Sequence, residues 1–205
     1  MSMHYDIGGY AGAGQSSSFL KVIEIYRWRR ILHRLSSRRR RDGEREIEQR
    51  FILQEDFEER QKRGEIIPES FRVHVNKETK SSYVTGVEIP SLWMPKQPGE
   101  LTFSAFGTAA LDVKRLYEPS MVTILLVVSQ EKATERLLGR PGMNSLSNID
   151  DHLATNAKYD HMNLKKFYDY SIDTTELTIE EVVKRIELIV AARSRVSAKR
   201  YLIHP

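Results

Sequence analysis

Phe19, Val22, Ile23 and Tyr26 recur at helical spacing in SFLKVIEIYRW, directly after the small-residue run GGYAGAGQSS over 8–17, so a glycine loop feeds a helix. Val122–Val128 reads VTILLVV, continuously apolar and β-branched, the pattern of a parallel-sheet strand buried on both faces. Leu101–Ala105 predicts a second buried strand, and the arginine-rich stretch around Ile31–Leu35 a short one. Within 66–87, FRVHVN and SSYVTGV alternate with period two, which predicts antiparallel strands. Gln54–Arg60 predicts a short helix ending near Gly64, and Pro90, Pro95, Pro98 and Gly99 punctuate a loop. Glu131–Leu138 reads as helix, PGMNS over 141–145 breaks it, and Ile149–Ala157 predicts another. A last strand is expected at Tyr168–Ile172. Thr178 and Glu181 then form a capping box ahead of Ile179, Val182, Val183, Ile186 and Ile189, the apolar stripe of a long C-terminal helix. The strand expected before the glycine loop has only MSMHYDI to draw on, a poor strand pattern. Strands alternating with helices predict an α/β fold with a mostly parallel sheet.

The 205 residues suffice for one core carrying small inserted subdomains, rather than for two independent domains. No stretch reaches the roughly 20 apolar residues that span a bilayer, and MSMHYDIGGY lacks the basic start and apolar run of a signal peptide, so a cytoplasmic location is expected. The absence of cysteine excludes disulfides, thiolate metal sites and cysteine nucleophiles, and the six histidines show no ligand spacing. Net charge +4 makes the chain mildly basic. The charge is concentrated in RWRRILHRLSSRRRR over 27–41, which suits a nucleotide, a nucleic-acid backbone or an anionic lipid surface, or else a solvated helix end. Trp28 is the only clear aromatic platform in that run, so nucleic acid is not the expected partner.

A phosphate loop needs Gly, four residues, Gly, Lys, then Ser or Thr, because the glycines turn backbone amides inward at a helix N-terminus. Gly9, Gly14 and Ser16 fit that spacing, with Gln15 at the lysine position. Glutamine still donates a hydrogen bond but carries no charge to neutralise separating phosphates.

Further blocks follow in order: SSRRRRDGE over 36–44; Phe51, Phe57 and Gly64-Glu65; Tyr83-Val84-Thr85; RLLGR over 136–140; and YDYSI over 168–172. Together with the loop they resemble the guanylate kinases over nearly the whole chain. The resemblance implies a three-layer α/β/α P-loop core (1–35, 99–135 and 166–205), a β-rich acceptor-binding subdomain (36–98) and a lid (136–165). It implies that Gly9, Gly12, Gly14, Ser16 and Ser17 hold ATP phosphates, with Ser16 on Mg2+ and Gln15 at the catalytic lysine's place. Arg38 and Arg41 would clamp the phosphate of GMP, and Glu44, Glu69, Tyr83 and Thr85 would line the acceptor pocket. Arg136 and Arg140 would approach the ATP phosphates from the lid.

Departures from the family pattern accumulate. Ser104 stands where an IDxxG aspartate is expected, with Gly107 as the glycine and Asp112 too late to replace it. A lid arginine is missing around Asp151 and His152, and Gln49 stands for a pocket tyrosine. Several lost cations and acids together suggest a degenerate member that binds nucleotide or phosphate with low or no phosphoryl transfer. The alternatives are an active ATP-dependent GMP kinase, a kinase of a related phosphorylated acceptor such as the ribose bisphosphate used by one branch of this fold, or a fold retained for a protein partner.

Overall fold

The computed structural model describes residues 3–26, 29–40, 46, 49–75, 82–89, 100–139 and 146–201, with backbone alone at 146–148 and 195–201. In chain order the strands are β1 Met3–Gly9, β2 Arg29–Leu32, β3 Arg34–Ser36, β4 Gln49–Phe51, β5 Arg72–Val75, β6 Ser82–Val87, β7 Leu101–Ser104, β8 Val122–Val127 and β9 Tyr170–Asp173. The helices are α1 Gln15–Ile25, α2 Gln54–Lys62, α3 Ala109–Leu116, α4 Gln130–Leu138, α5 Leu146–His161 and α6 Ile179–Tyr201. Five strands form a sheet in the order β2-β7-β1-β8-β9, and four form a second sheet in the order β4-β3-β6-β5. The chain divides into two compact units, Met1–Asp6 with Trp28–Met121, and Ile7–Arg27 with Val122–Pro205.

In the first unit β7 pairs in parallel with β2 and with Met3–Asp6 of β1, setting His4 opposite Thr102 and Asp6 opposite Ser104. The four-stranded sheet is two-faced. Leu35 and Val84 belong to one face and bury with Phe57 and Ile66 in a cluster that Ile52 and Phe71 edge. Gly86 lies on that face because a Cβ there would meet Ile66 Cγ2 at 2.7 Å and Phe57 Cζ at 3.1 Å. Paired strands keep registered partners on one face. The other face therefore carries Gln49 and Phe51 of β4, Arg34 and Ser36 of β3, Tyr83 and Thr85 of β6, and Arg72 and His74 of β5. A second core joins Leu32, Ile67, Val87 and Phe106 to Ala109, Ala110 and Val113 of α3.

In the second unit β8 is buried at all six positions and pairs in parallel with β9. The capping box opens α6 as expected: Thr178 N–H donates to Glu181 at 2.8 Å and Glu181 N–H donates to Thr178 Oγ1 at 3.2 Å. Val182, Val183, Ile186 and Val190 of α6 are buried, as are Phe19, Val22 and Ile23 of α1. Among the described residues no helix is long and apolar enough to cross a membrane.

The segment Ile31–Leu35, expected as one strand, is two: His33 separates β2 from β3, and these belong to different sheets. The arginine run over its described part is thus extended chain rather than a helix end. The weak pattern is a strand from Met3 to Gly9 with five consecutive buried residues, 4–8, in which His4 and Asp6 find polar partners across the sheet instead of solvent. The last strand starts two residues later than expected, at Tyr170. The loop expected at 90–99 and the break at 141–145 lie outside the described residues.

Candidate functional site: a phosphate-type loop and a polar sheet face

In the second unit the loop after β1 turns through Gly12 and Gly14 at φ 82° and 80°. A Cβ on Gly12 would lie 2.8 Å from the Ala133 Cα, so the loop packs backbone to backbone on α4. Gly12→Ala combines left-handed strain with overpacking and is expected to cost about 3 kcal/mol, read as a lowered denaturant midpoint at unchanged slope. Tyr10 N–H donates to Leu126 O at 2.9 Å and Ala13 N–H to Tyr10 O at 3.0 Å. The Asn156 side-chain amide holds Ala11 at both ends, accepting its N–H and donating to its carbonyl, each at 2.9 Å. Tyr10 donates to Asp160 Oδ1 at 2.9 Å and rests against Tyr159, so Asn156, Tyr159 and Asp160 on one helical face of α5 brace the loop.

Beyond the braced residues, α1 begins at Gln15 with Gly14 as N-cap and no side-chain cap, and Ser16 and Ser17 are exposed. The first amides of a helix have no intrahelical acceptor, so this end offers donors and the positive end of the helix dipole to an anion. Gln15 does not aim at that space. Its Nε2 donates back to Ile7 O at 3.1 Å. Arg136 donates to Gly12 O at 3.2 Å and to Thr174 Oγ1 at 3.3 Å through Nη1, and to the carbonyls of Thr174, Thr175 and Leu177 at 2.8, 3.3 and 3.5 Å through Nη2. It ties the loop to the turn between β9 and α6. Thr174 Oγ1 extends the tie, donating to Ala13 O at 3.1 Å and Val127 O at 3.0 Å.

In the first unit the polar face of the four-stranded sheet has its aromatic rings already covered. His74 stacks on Tyr83 with centroids 4.6 Å apart, and the Arg38 guanidinium sits 4.8 Å from the Phe51 centroid. His74 Nε2 meets Thr85 Oγ1 at 3.1 Å, and Thr85 is 1% exposed. Burial, then the charges of Arg34 and Arg72, push the His74 imidazole below its usual range and keep it neutral at pH 7. Ser36 Oγ and Gln49 Oε1 are buried without a hydrogen-bond partner among the described residues. The Ser36 hydroxyl can donate to an oxygen-rich anion on this cationic face, whereas Gln49 Oε1, an acceptor only, calls for a donor.

No protein-family model matches the chain, and no curated protein matches it. Among solved structures, the guanylate kinase from Anaplasma phagocytophilum superposes with a TM-score of 0.61 at 20% identity, over 94% of this chain and 86% of that one. An uncharacterized protein from Eubacterium ventriosum ATCC 27560 gives a TM-score of 0.45 at 14% identity, over 92% of this chain and 98% of that one. The fold is guanylate-kinase-like.

On this guanylate-kinase-like fold, Gly9, Gly12, Gly14, Gln15, Ser16, Ser17 and Arg136 lie together at the loop of the second unit, and Arg38, Tyr83 and Thr85 lie on the sheet of the first. Glu69 sits in a short turn at Pro68–Ser70, where its carboxylate hydrogen-bonds Tyr117; burial first and then Glu69 raise that phenol above its usual value. Arg41, Glu44 and Arg140 lie outside the described residues. Ser104 is wholly buried and donates to Asp6 Oδ1 at 2.8 Å, while the Asp112 carboxylate accepts from Arg115 at 3.1 Å and lies 3.9 Å from Arg72. Sequence reasoning missed Asn156, His74 and Asp6. A polar alternation was visible for Asp6 in His4-Tyr5-Asp6 facing Thr102-Phe103-Ser104; Asn156 gave no signal, because it reads only backbone.

Proposed function

We propose that the chain binds nucleotide or phosphate ligands at the loop over 9–17, takes GMP or a similar phosphorylated molecule on the polar face of its four-stranded sheet, and transfers phosphoryl groups slowly or not at all. The likeness to a structure named guanylate kinase supports the first two parts. The observation that carries the third is Gln15, whose side chain is engaged with Ile7 O and brings no charge to the loop. The uncapped amides at the start of α1 fit a phosphate group. Mg2+ of the kind that accompanies ATP takes few protein ligands, and the exposed Ser16 hydroxyl fits one such position. Among the described residues no group of three acidic or histidine side chains forms a metal cage. When bound, Mg2+ neutralises phosphate charge; the chain's own part is to cradle with amides and hold the loop rigid through Asn156 and Arg136.

Calorimetric titrations with GMP and with Mg-ATP test this reading. Binding of both without ADP release above background is the expected result. Failure of both to bind would leave a fold kept for a protein partner. A second reading, a kinase of a phosphorylated acceptor without a guanine base, is favoured by His74, which occupies the Thr85 hydroxyl and one face of Tyr83. On that reading inorganic phosphate competes with the acceptor and guanosine does not.

A further inference from the structure

Four side chains of the first unit form an unbroken chain of hydrogen bonds. Glu118 Oε2 meets His4 Nδ1 at 2.6 Å, His4 Nε2 meets Ser104 Oγ at 2.7 Å, and Ser104 Oγ meets Asp6 Oδ1 at 2.8 Å. His4, Ser104 and Asp6 are 1%, 0% and 0% exposed, whereas the Glu118 side chain is 11% exposed. Phe106 N–H also donates to Asp6 Oδ1, at 2.7 Å, and Asp6 Oδ2 is buried without a hydrogen-bond partner among the described residues. The Phe106 ring meets His4 edge-on, with centroids 6.0 Å apart.

Counting hydrogens shows what this chain does. Three bonds link four side chains, and each needs one hydrogen. Ser104 supplies one and a neutral His4 a second, so full occupancy holds one further proton. With the imidazole doubly protonated, His4 donates to Glu118 and Ser104, and Ser104 donates to an ionised Asp6. If the His4 Nε2 proton passes to Ser104 Oγ while the Ser104 proton passes to Asp6 Oδ1, Asp6 becomes neutral, His4 becomes neutral, and all three bonds survive, the His4–Ser104 and Ser104–Asp6 bonds reversed and the His4–Glu118 bond unchanged. The same single proton is carried in both states. Burial pushes Asp6 up to about 7 against the opposing pull of Phe106 N–H, Ser104 and Arg34, so near neutrality the chain loses this proton and leaves Asp6 ionised beside a neutral His4.

Arg34 connects this chain to the acceptor face. It lies in β3 on that face beside Ser36, and its charge acts on both Asp6 and His74. Its Nη1 is 3.9 Å from where a Cβ of Gly107 would stand, next to the Phe106 whose amide holds Asp6. Among the described residues, the groups that act on Asp6 are Ser104, with His4 and Glu118 behind it, Phe106 N–H and Arg34. We propose that Asp6 is a positioning residue of the acceptor face, acting through Arg34, and that the Glu118–His4–Ser104 relay loads and unloads the proton that sets its charge. This rests on the acceptor-face reading given above. An ionised Asp6 offsets part of the Arg34 charge and a neutral Asp6 does not, so acceptor binding takes up a proton.

Sulfate, a dianion throughout the neutral range, is the probe. Its affinity for the full chain is expected to rise about tenfold between about pH 8 and about pH 6, the change over that range in the protonated fraction of a group whose pKa is about 7. Asp6→Asn is expected to bind sulfate with little pH dependence, and His4→Gln to shift the midpoint of the rise. Infrared difference spectra provide a readout independent of ligand: a buried carboxylic-acid band that grows as the pH falls through about 7 and is missing from Asp6→Asn. Sulfate binding that is flat with pH in the wild type, or equally steep in Asp6→Asn, overturns the positioning role. Absence of sulfate binding overturns the acceptor reading and the positioning role with it, while the band reports separately on the relay; absence of the band overturns the relay.

Discussion

Arg136→Ala is expected to lower the stability of the protein by about 3 kcal/mol, since hydrogen bonds to a charged group are worth about 1.5–3 kcal/mol each and do not add fully. The guanidinium joins Gly12 of the loop to Thr174, Thr175 and Leu177 of the turn between β9 and α6. Alanine removes this donor from the part-buried carbonyls of Gly12, Thr175 and Leu177, while Thr174 O keeps Leu177 N–H at 3.2 Å. For a chain of this length the melting temperature should fall by roughly 10 °C. Arg136→Lys should recover less than half of the loss, because an ammonium reaches one pole of a contact set that a planar fork spans. A melting temperature within about 1 °C of the wild type for Arg136→Ala would show that the clasp is incidental. It would also free Arg136 for a phosphate, the role the resemblance implies for it.

The second large effect is in the pH dependence of stability. The Asp6 carboxyl is fully buried and pushed up from 3.8 to about 7, chiefly by burial. Between about pH 4 and about pH 7 the folded chain holds a proton that the unfolded chain has lost, so this group's contribution to stability is present in acid and is lost as the pH rises. About 3 pKa units correspond to about 4 kcal/mol of penalty at alkaline pH. Asp6→Asn removes the slope. Its amide carbonyl still accepts from Ser104 and Phe106 N–H, while the new NH2 takes the place of Oδ2 and lacks an acceptor, which returns about 2 kcal/mol of the gain. Urea unfolding should therefore find the variant more stable than the wild type by roughly 2 kcal/mol above about pH 8, and less stable near pH 5. Parallel pH profiles for the two proteins would contradict this.

Much of the fold was legible where one rule decides the outcome. Val122–Val127 is a strand because an unbroken β-branched run has no polar face to present, and the Thr178–Glu181 box set the start of the last helix. The glycine spacing at 9–14 likewise marked the loop, and its two left-handed glycines follow from a turn no other residue enters cheaply. What escaped depends on partners about a hundred residues away. His4 and Asp6 looked like solvent-facing positions of a poor strand until Ser104 and Glu118 were brought beside them. His33 could not be read as a strand break, because the split sends neighbouring residues into two sheets, a tertiary decision. The polar face over His74, Tyr83 and Thr85 needed the pairing register, which the alternating pattern proposes but does not fix.

ADP release measured side by side on the wild type and Gln15→Lys reports whether the loop over 9–17 is, as proposed, a phosphate cradle that lacks its cation. At saturating Mg-ATP and GMP, the account predicts negligible turnover in the wild type and a gain of roughly 100-fold or more in the variant, the scale of restoring one charge-stabilising group to such a site. Rapid wild-type turnover that the substitution leaves unchanged or lowers would contradict it, and would mean that the chain catalyses phosphoryl transfer without a lysine in its loop.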